Sequence, residues 1–231
     1  MLCGNGVYNL TVYFWWVGMQ AIQFKLFGYR TQLQPEFFLL ALFYLYSGRG
    51  NPLWYNLVFV GVVFVSILVH ELGHALAITN RGYKVNRIAV HGFGGDVTGN
   101  FGYAKPKDQL MISISGPLAG LLLGLPFLIV SMLGIFDQDY VVKNVIGIIV
   151  WVNIGWSLFN LLPMMPLDGG HAFTSILRIF RVADAKRVAG LVGIVTGGVI
   201  VVAGLSLQML FVTIIGAFCA YTSFLQYAKP R

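Results

Sequence analysis

His70-Glu71-Leu72-Gly73-His74 places two imidazoles and a carboxylate at a spacing that can do metal chemistry. On a helix, positions i and i+4 share a face, so His70 and His74 point together and can chelate one metal ion. Glu71 then sits beside the metal, where a carboxylate can take a proton from bound water. The same spacing arises by chance in soluble helices, so its context decides. Here it ends an unbroken apolar run from Leu53 to Val69. At about 1.5 Å per residue, that run carries a helix roughly 25 Å through a hydrocarbon core of roughly 30 Å. Ionisable groups at the end of a membrane span are expensive to bury. They therefore point to a functional site rather than to a pair of satisfied interfacial histidines.

Catalytic zinc usually takes three protein ligands and keeps a position open for water. After Glu71 the chain has no glutamate, so the third ligand must come from His91, His171, Asp96, Asp108, Asp137, Asp139, Asp168 or Asp184. Asp137 and Asp139 fall on the opposite side of the membrane from the histidines. Asp108 and Asp184 lie in basic loops, where a solvated charge is the simpler reading. Asp168 has the right depth, and Gly169-Gly170 after it permits close backbone approach. It is the chosen ligand, against the alternative of a turn-forming Asp before two glycines. His171 and His91 read as surface histidines, with a supporting or substrate-contacting role as the alternative.

The elements that must position these residues are membrane spans. The chain of 231 residues is 58% hydrophobic and 10% charged, with mean hydropathy +0.78. Soluble domains carry about 25% charged residues, so this composition belongs to a polytopic membrane protein. Cys3 and Cys219 stand far apart and suggest neither a disulfide framework nor a metal site. The N-terminus lacks a basic region and a small-residue cleavage site, so no removable signal is expected. The net charge of +7 does not indicate nucleic acid, because the bases form no groove-reading element.

The expected fold is an all-α polytopic membrane protein with six transmembrane helices, a small membrane-associated β-hairpin or sheet, and a broken segment after the fourth span. The spans run at about 35–46, 53–79, 110–135, 141–162, 188–204 and 207–227. Residues 1–34 form an N-terminal interfacial segment and hairpin. The uncharged, aromatic stretch from Val7 to Phe24 lies at the interface in this reading, with an extra span as the alternative. Residues 35–228 form one membrane domain. Residues 84–91 alternate like a strand, and Gly92-Phe93-Gly94-Gly95 turns the chain back. In the third span Gly116, Gly120 and Gly124 recur every four residues, which lets another helix backbone approach. In the fourth, Asn153, Ser157 and Asn160 share one face. Pro163, Pro166 and Asp168-Gly169-Gly170 then break the helix, which is tolerated at membrane depth only inside protein or beside a wet cavity.

Placing the loop at 80–108 in the cytosol and letting six spans alternate leaves only Arg49 and Lys143 outside, of 15 bases. This agrees with the positive-inside rule and puts both termini and the His70, His74 and Asp168 cluster toward the cytosolic side.

Four stretches occur in order: Leu68-Val69-His70-Glu71-Leu72-Gly73-His74-Ala75, Phe93-Gly94-Gly95, Ser115-Gly116-Pro117-Leu118-Ala119-Gly120, and Asn160 through Gly170. Together they resemble the site-2 protease family of intramembrane zinc metalloproteases, over about residues 22–225. The resemblance implies one zinc ion held by His70, His74 and Asp168, with Glu71 as general base. It implies that Asn160 helps position substrate or the reacting carbonyl. It also implies that the strand ending at Phe93, Gly94 and Gly95 pairs with an unwound substrate, and that the partners are a transmembrane protein substrate and the lipid bilayer. The chain departs from the family in three places. The loop at 80–108 is too short for a PDZ insert, little follows the sixth span that could serve as a regulatory tail, and Asp96 stands where an apolar residue is expected.

The residues by themselves give a compatible mechanism, in which Glu71 deprotonates a metal-activated water and Asn160 offers an amide to the developing oxyanion. Interhelical hydrogen bonding is the alternative for Asn160 and the preferred reading for Asn153. The rival functions are a non-hydrolytic zinc-binding membrane transporter or sensor, and a silent scaffold. A transporter favours ionisable groups strung across the spans, whereas these are confined to one depth. A scaffold needs none of them.

Overall fold

The computed structural model describes residues 21–92 and 94–228. The aromatic stretch from Val7 therefore lies outside the described residues except for its end, and Phe93 lies outside them as well. Two strands, β1 (Ile22–Leu26) and β2 (Tyr29–Leu33), form a hairpin. Its turn, Phe27-Gly28, has positive φ at both residues, 48° and 88°, the geometry that closes a two-residue hairpin without splaying its strands.

Helix α1 (Pro35–Ser47) starts on a proline, whose missing N–H costs nothing in a first turn. It is followed by α2 (Leu53–Asn80), β3 (Val85–His91) and β4 (Gly94–Gly99). Next come α3 (Pro106–Met132) and α4 (Tyr140–Val150), the latter capped by Asp139 Oδ1, which accepts the Val142 N–H at 3.0 Å. A π-helical turn (Trp151–Gly155) carries α4 into α5 (Trp156–Asn160). Residues 161–167 turn without regular structure into α6 (Asp168–Ile179), and α7 (Ala185–Ser206) and α8 (Leu210–Ala228) complete the order.

Five stretches are long and apolar enough to cross a bilayer among the described residues: α2, α3, Tyr140–Asn160, α7 and α8. Only 17–33% of their most apolar windows is buried inside the protein, so lipid has to cover the remainder, and the chain reads as an integral membrane protein. The expectation of six spans counted α1 as well. That helix is apolar but has 13 residues, about 20 Å at the helical rise. The strand expected to end at Phe93-Gly94-Gly95 stops instead at His91, and Gly94 and Gly95 open the next strand, because the glycines there turn the chain back. This hairpin is only half of a larger unit. The sheet has four strands in the order β1-β2-β3-β4, with β2 and β3 parallel through Thr31↔Ile88 and Leu33↔Val90.

The sheet matters because of where it sits. Val90 packs with Phe37 of α1 and Ile67 of α2, and Leu33 and Phe64 close over them. This apolar face fixes the sheet against α2 one turn before His70. Strand β4 is at the sheet's edge. On the other side of α2, Gly73 abuts the Ser115 carbonyl and Ala119 of α3. The glycine stripe of α3 does two jobs. Gly120 and Gly124 face Ser157, Asn153 and Ile154 on the fourth span, whereas Gly116 faces a histidine of the site.

Candidate metal centre

His70 and His74 lie one turn apart on α2, and both are buried. Asp168 opens α6, where the partial positive charge of a helix N-terminus favours a carboxylate. The fold brings the three together. His70 Nε2 stands 3.0 Å from Asp168 Oδ2, His74 Nε2 3.3 Å from Asp168 Oδ1, and the two Nε2 atoms 3.2 Å apart.

Whether this set suits a metal can be tested on proton positions. His74 Nδ1 lies 2.7 Å from the Ile112 carbonyl, which can only accept. The His74 proton therefore sits on Nδ1, and its Nε2 lone pair points into the cluster. A second imidazole nitrogen and a carboxylate oxygen face that lone pair at the distances above. Donors about 2.0–2.1 Å from a tetrahedral zinc lie roughly 3.3 Å from one another. The arrangement fits a small divalent cation. His70 Nδ1 is buried and has no hydrogen-bond partner among the described residues.

Glu71 is 5% exposed and lies under the sheet. A Cβ placed on Gly95 of β4 would stand 2.7 Å from its Cδ and 2.8 Å from Oε1. Gly95 is thus the close cover of that carboxylate, and Gly94 beside it faces the ring of Trp156. Asn153, Ser157 and Asn160 are all buried, as their shared face suggests. Asn153 gives its amide N–H to Ile149 O at 2.9 Å within its own helix, rather than across to another. His171 is exposed, and Asp108 is tied to Arg81 at 2.8 Å. Asp96 lies on the edge strand, 3.8 Å from Arg87.

Three supporting features escape the sequence reading. The first is the Ile112 carbonyl. The second is Gly116, whose absent side chain leaves room for the His74 ring: a Cβ there would stand 2.6 and 2.7 Å from Cε1 and Cδ2. The third is a clamp on the turn that carries Asp168. Ser223 Oγ on α8 accepts the Met165 N–H at 2.9 Å, and the Thr222 hydroxyl donates to Met165 O at 2.6 Å. Both backbone groups of one residue in a non-helical segment are thereby satisfied by neighbouring side chains. Gly169 and Gly170 complete the fit by lying against backbone at 161–165. The only sequence signal for Gly116 was its place in the four-residue stripe, and the clamp left none.

Gly116→Ala is expected to push the His74 ring out of register. Zinc affinity should fall by about 10–100-fold, the usual effect of disturbing a ligand's surroundings. Competition with a chelator of known affinity measures it, and an unchanged affinity removes Gly116 from the site.

Comparison with known proteins places the chain in a family. The profile of peptidase family M50 matches residues 58–138 and 132–204. Zinc metalloprotease MJ0392 of Methanocaldococcus jannaschii is 31% identical over 156 residues, covering 67% of this chain and 44% of that protein. The protein sll0528 of Synechocystis sp., provisionally assigned as a zinc metalloprotease, is 32% identical over 165 residues, covering 66% and 43%. The chain thus spans less than half the length of these curated relatives. The solved site-2 protease from Methanocaldococcus jannaschii shares the fold, with a TM-score of 0.62 at 22% identity over 91% of this chain and 97% of that one. The profile takes in α2 with its two histidines, the glycine stripe of α3 and the turn that delivers Asp168, and on that match this chain belongs to peptidase family M50.

Proposed function

We propose that the chain is an intramembrane zinc metalloprotease that hydrolyses peptide bonds within or near the transmembrane helices of membrane-protein substrates. The observation that carries this reading is the meeting of His70, His74 and Asp168 donor atoms within 4.8 Å, beside a buried Glu71. These three residues would hold one zinc ion per chain, which when bound supplies Lewis acidity to the attacking water and the scissile carbonyl. Glu71 takes the proton from that water as general base and returns it to the departing amine. Asn160 offers its amide to the oxygen on which charge develops.

A helical substrate hides its amides, so it must unwind at the cut. The edge of β4, with Phe93 just before it and Gly94 and Gly95 within it, pairs with the freed backbone by β-augmentation. The turn at 161–167 is the break in helical structure at membrane depth, where proline and glycine are tolerated because protein surrounds them. In this reading α1 is a short first span that brings the membrane domain over 35–228 to six, and the base-rich end of the bundle is cytosolic.

The test is direct. Purified chain loaded with zinc and presented with a set of single-span membrane proteins is expected to cut at least one inside its apolar segment. Adding a zinc chelator should stop the cut. A cut that persists after the metal is stripped refutes the reading, and so does the absence of any cut across the set.

A further inference from the structure

Three loops of this protein end in the same chemistry. Each presents a nearly bare aromatic ring beside two basic side chains. In the β1–β2 turn it is Phe27, 79% exposed, between Lys25 and Arg30, which are cross-strand partners. Before α3 it is Tyr103, 84% exposed, with exposed Lys105 and Lys107 following. After α6 it is Phe180, 76% exposed, between Arg178 and Arg181.

These tips are far apart in sequence but belong to one end of the bundle, and a continuous set of polar contacts shows it. Tyr29, in the first hairpin, bonds Thr79 in the last turn of α2 at 2.9 Å. Arg81 and Tyr83, just beyond α2, hold Asp108 in the first turn of α3 at 2.8 and 3.0 Å. The next residue, Gln109, reaches back to the Gly102 carbonyl at 3.4 Å and accepts from Arg178 at 3.1 Å. The hairpin, the Tyr103 loop and the end of α6 are thus all tied to the junction of α2 and α3. The acids nearby do not offset the bases. Asp108 and Asp96 are engaged by Arg81 and Arg87, and Asp184 on the α6–α7 turn is outnumbered in sequence by Arg178, Arg181, Lys186 and Arg187.

We propose that these three tips form a docking surface for anionic lipid headgroups, with the rings of Phe27, Tyr103 and Phe180 lying among the headgroups and the flanking bases on phosphate. An aromatic ring at headgroup level with basic groups reaching for phosphate is the way amphipathic side chains settle at a bilayer interface. An exposed Phe in water has no such compensation. The consequence reaches the metal centre. His74 lies six residues before the end of α2, about 9 Å along the axis at the helical rise. Three headgroup contacts around that helix end hold the histidines at a set depth below the leaflet surface. This surface does not depend on whether the chain cuts peptides.

The experiment uses the full chain, purified in detergent and offered equimolar phosphatidylglycerol and phosphatidylcholine, with retained lipids counted by native mass spectrometry. Each base near an anionic surface is expected to contribute about a fivefold preference. The parent should therefore retain phosphatidylglycerol by more than tenfold. The combined variant Lys25→Gln, Lys105→Gln, Lys107→Gln, Arg181→Gln should lose most of that preference, while Arg49→Gln with Lys143→Gln, at the opposite end, should keep it. Equal retention of both lipids by the parent, or an unchanged preference in the four-site variant, overturns the proposal.

A second measurement avoids any question of variant folding at the bases. With Cys3 replaced by serine and cysteine placed singly at Phe27, Tyr103 and Phe180, an environment-sensitive fluorophore should be quenched by headgroup-region quenchers in phosphatidylglycerol vesicles. Water-like emission at all three tips would mean that they stand free for a soluble acidic partner, and lipid docking would be rejected.

Discussion

Glu71→Gln is expected to lower turnover of a membrane-spanning substrate by about 10²–10⁴-fold, the range that a positioned general base contributes. Zinc content per chain and helix content should stay as in the parent. The substitution changes one oxygen to an amide nitrogen and keeps the volume. Volume is critical here, because Gly95 leaves no slack over the carboxylate and the residue is 5% exposed. The ligand set is untouched, since His70, His74 and Asp168 make their close approaches without Glu71. An amide cannot accept a proton from water near neutral pH, so only the proton transfer is lost. Single-turnover cleavage and metal analysis on the same preparation separate the cases. Undiminished cleavage removes Glu71 from the chemistry, whereas a joint loss of zinc and helix would make it a structural residue.

How far the sequence could foretell this centre follows from the range over which each signal acts. The facing pair of His70 and His74 is a property of one helix, and the period of 3.6 residues fixes it wherever the helix goes. Asp168 stood out because two prolines before it and two glycines after it are incompatible with an undisturbed span. The pairing of β3 with β4 is also local, since alternation and the glycines at 92, 94 and 95 encode a hairpin. Contacts between distant elements had no such signal. Nothing in residues 29–33 announces that they will lie parallel to 85–91, because a parallel pair needs a crossover, here supplied by α1 and α2. The Ile112 carbonyl that orients His74 is any helix's carbonyl until α3 packs on α2. Thr222 and Ser223 are unremarkable polar residues in an apolar helix until Met165 arrives beside them. The glycine stripe shows the limit most clearly. Its spacing predicts close approach, but only packing decides that Gly116 meets an imidazole while Gly120 and Gly124 meet a helix.

Asp168→Ala is expected to cost the chain its zinc while leaving its spans in place. Two imidazoles would remain of a set of three donors, and the loss of affinity should exceed the 10–100-fold caused by removing an outer-shell partner. The fold has reasons to survive the change. The turn before α6 is held by Ser223 and Thr222 on α8 through the backbone of Met165, not through the aspartate. Gly169 and Gly170 still pack against backbone at 161–165. The helix itself loses only a favourable charge in its first turn, worth about 0.3–1 kcal/mol. Metal analysis after dialysis against a weak chelator should therefore find zinc near one per chain in the parent and near none in the variant, at the same helix content by circular dichroism. Asp108→Ala is the matched control, because that carboxylate is occupied by Arg81 and Tyr83 at the end of the bundle, and its zinc content should not move. If Asp168→Ala keeps its zinc, the third ligand lies elsewhere. The short approaches of Asp168 to His70 and His74 would then be a charged hydrogen-bond cluster and not a coordination sphere.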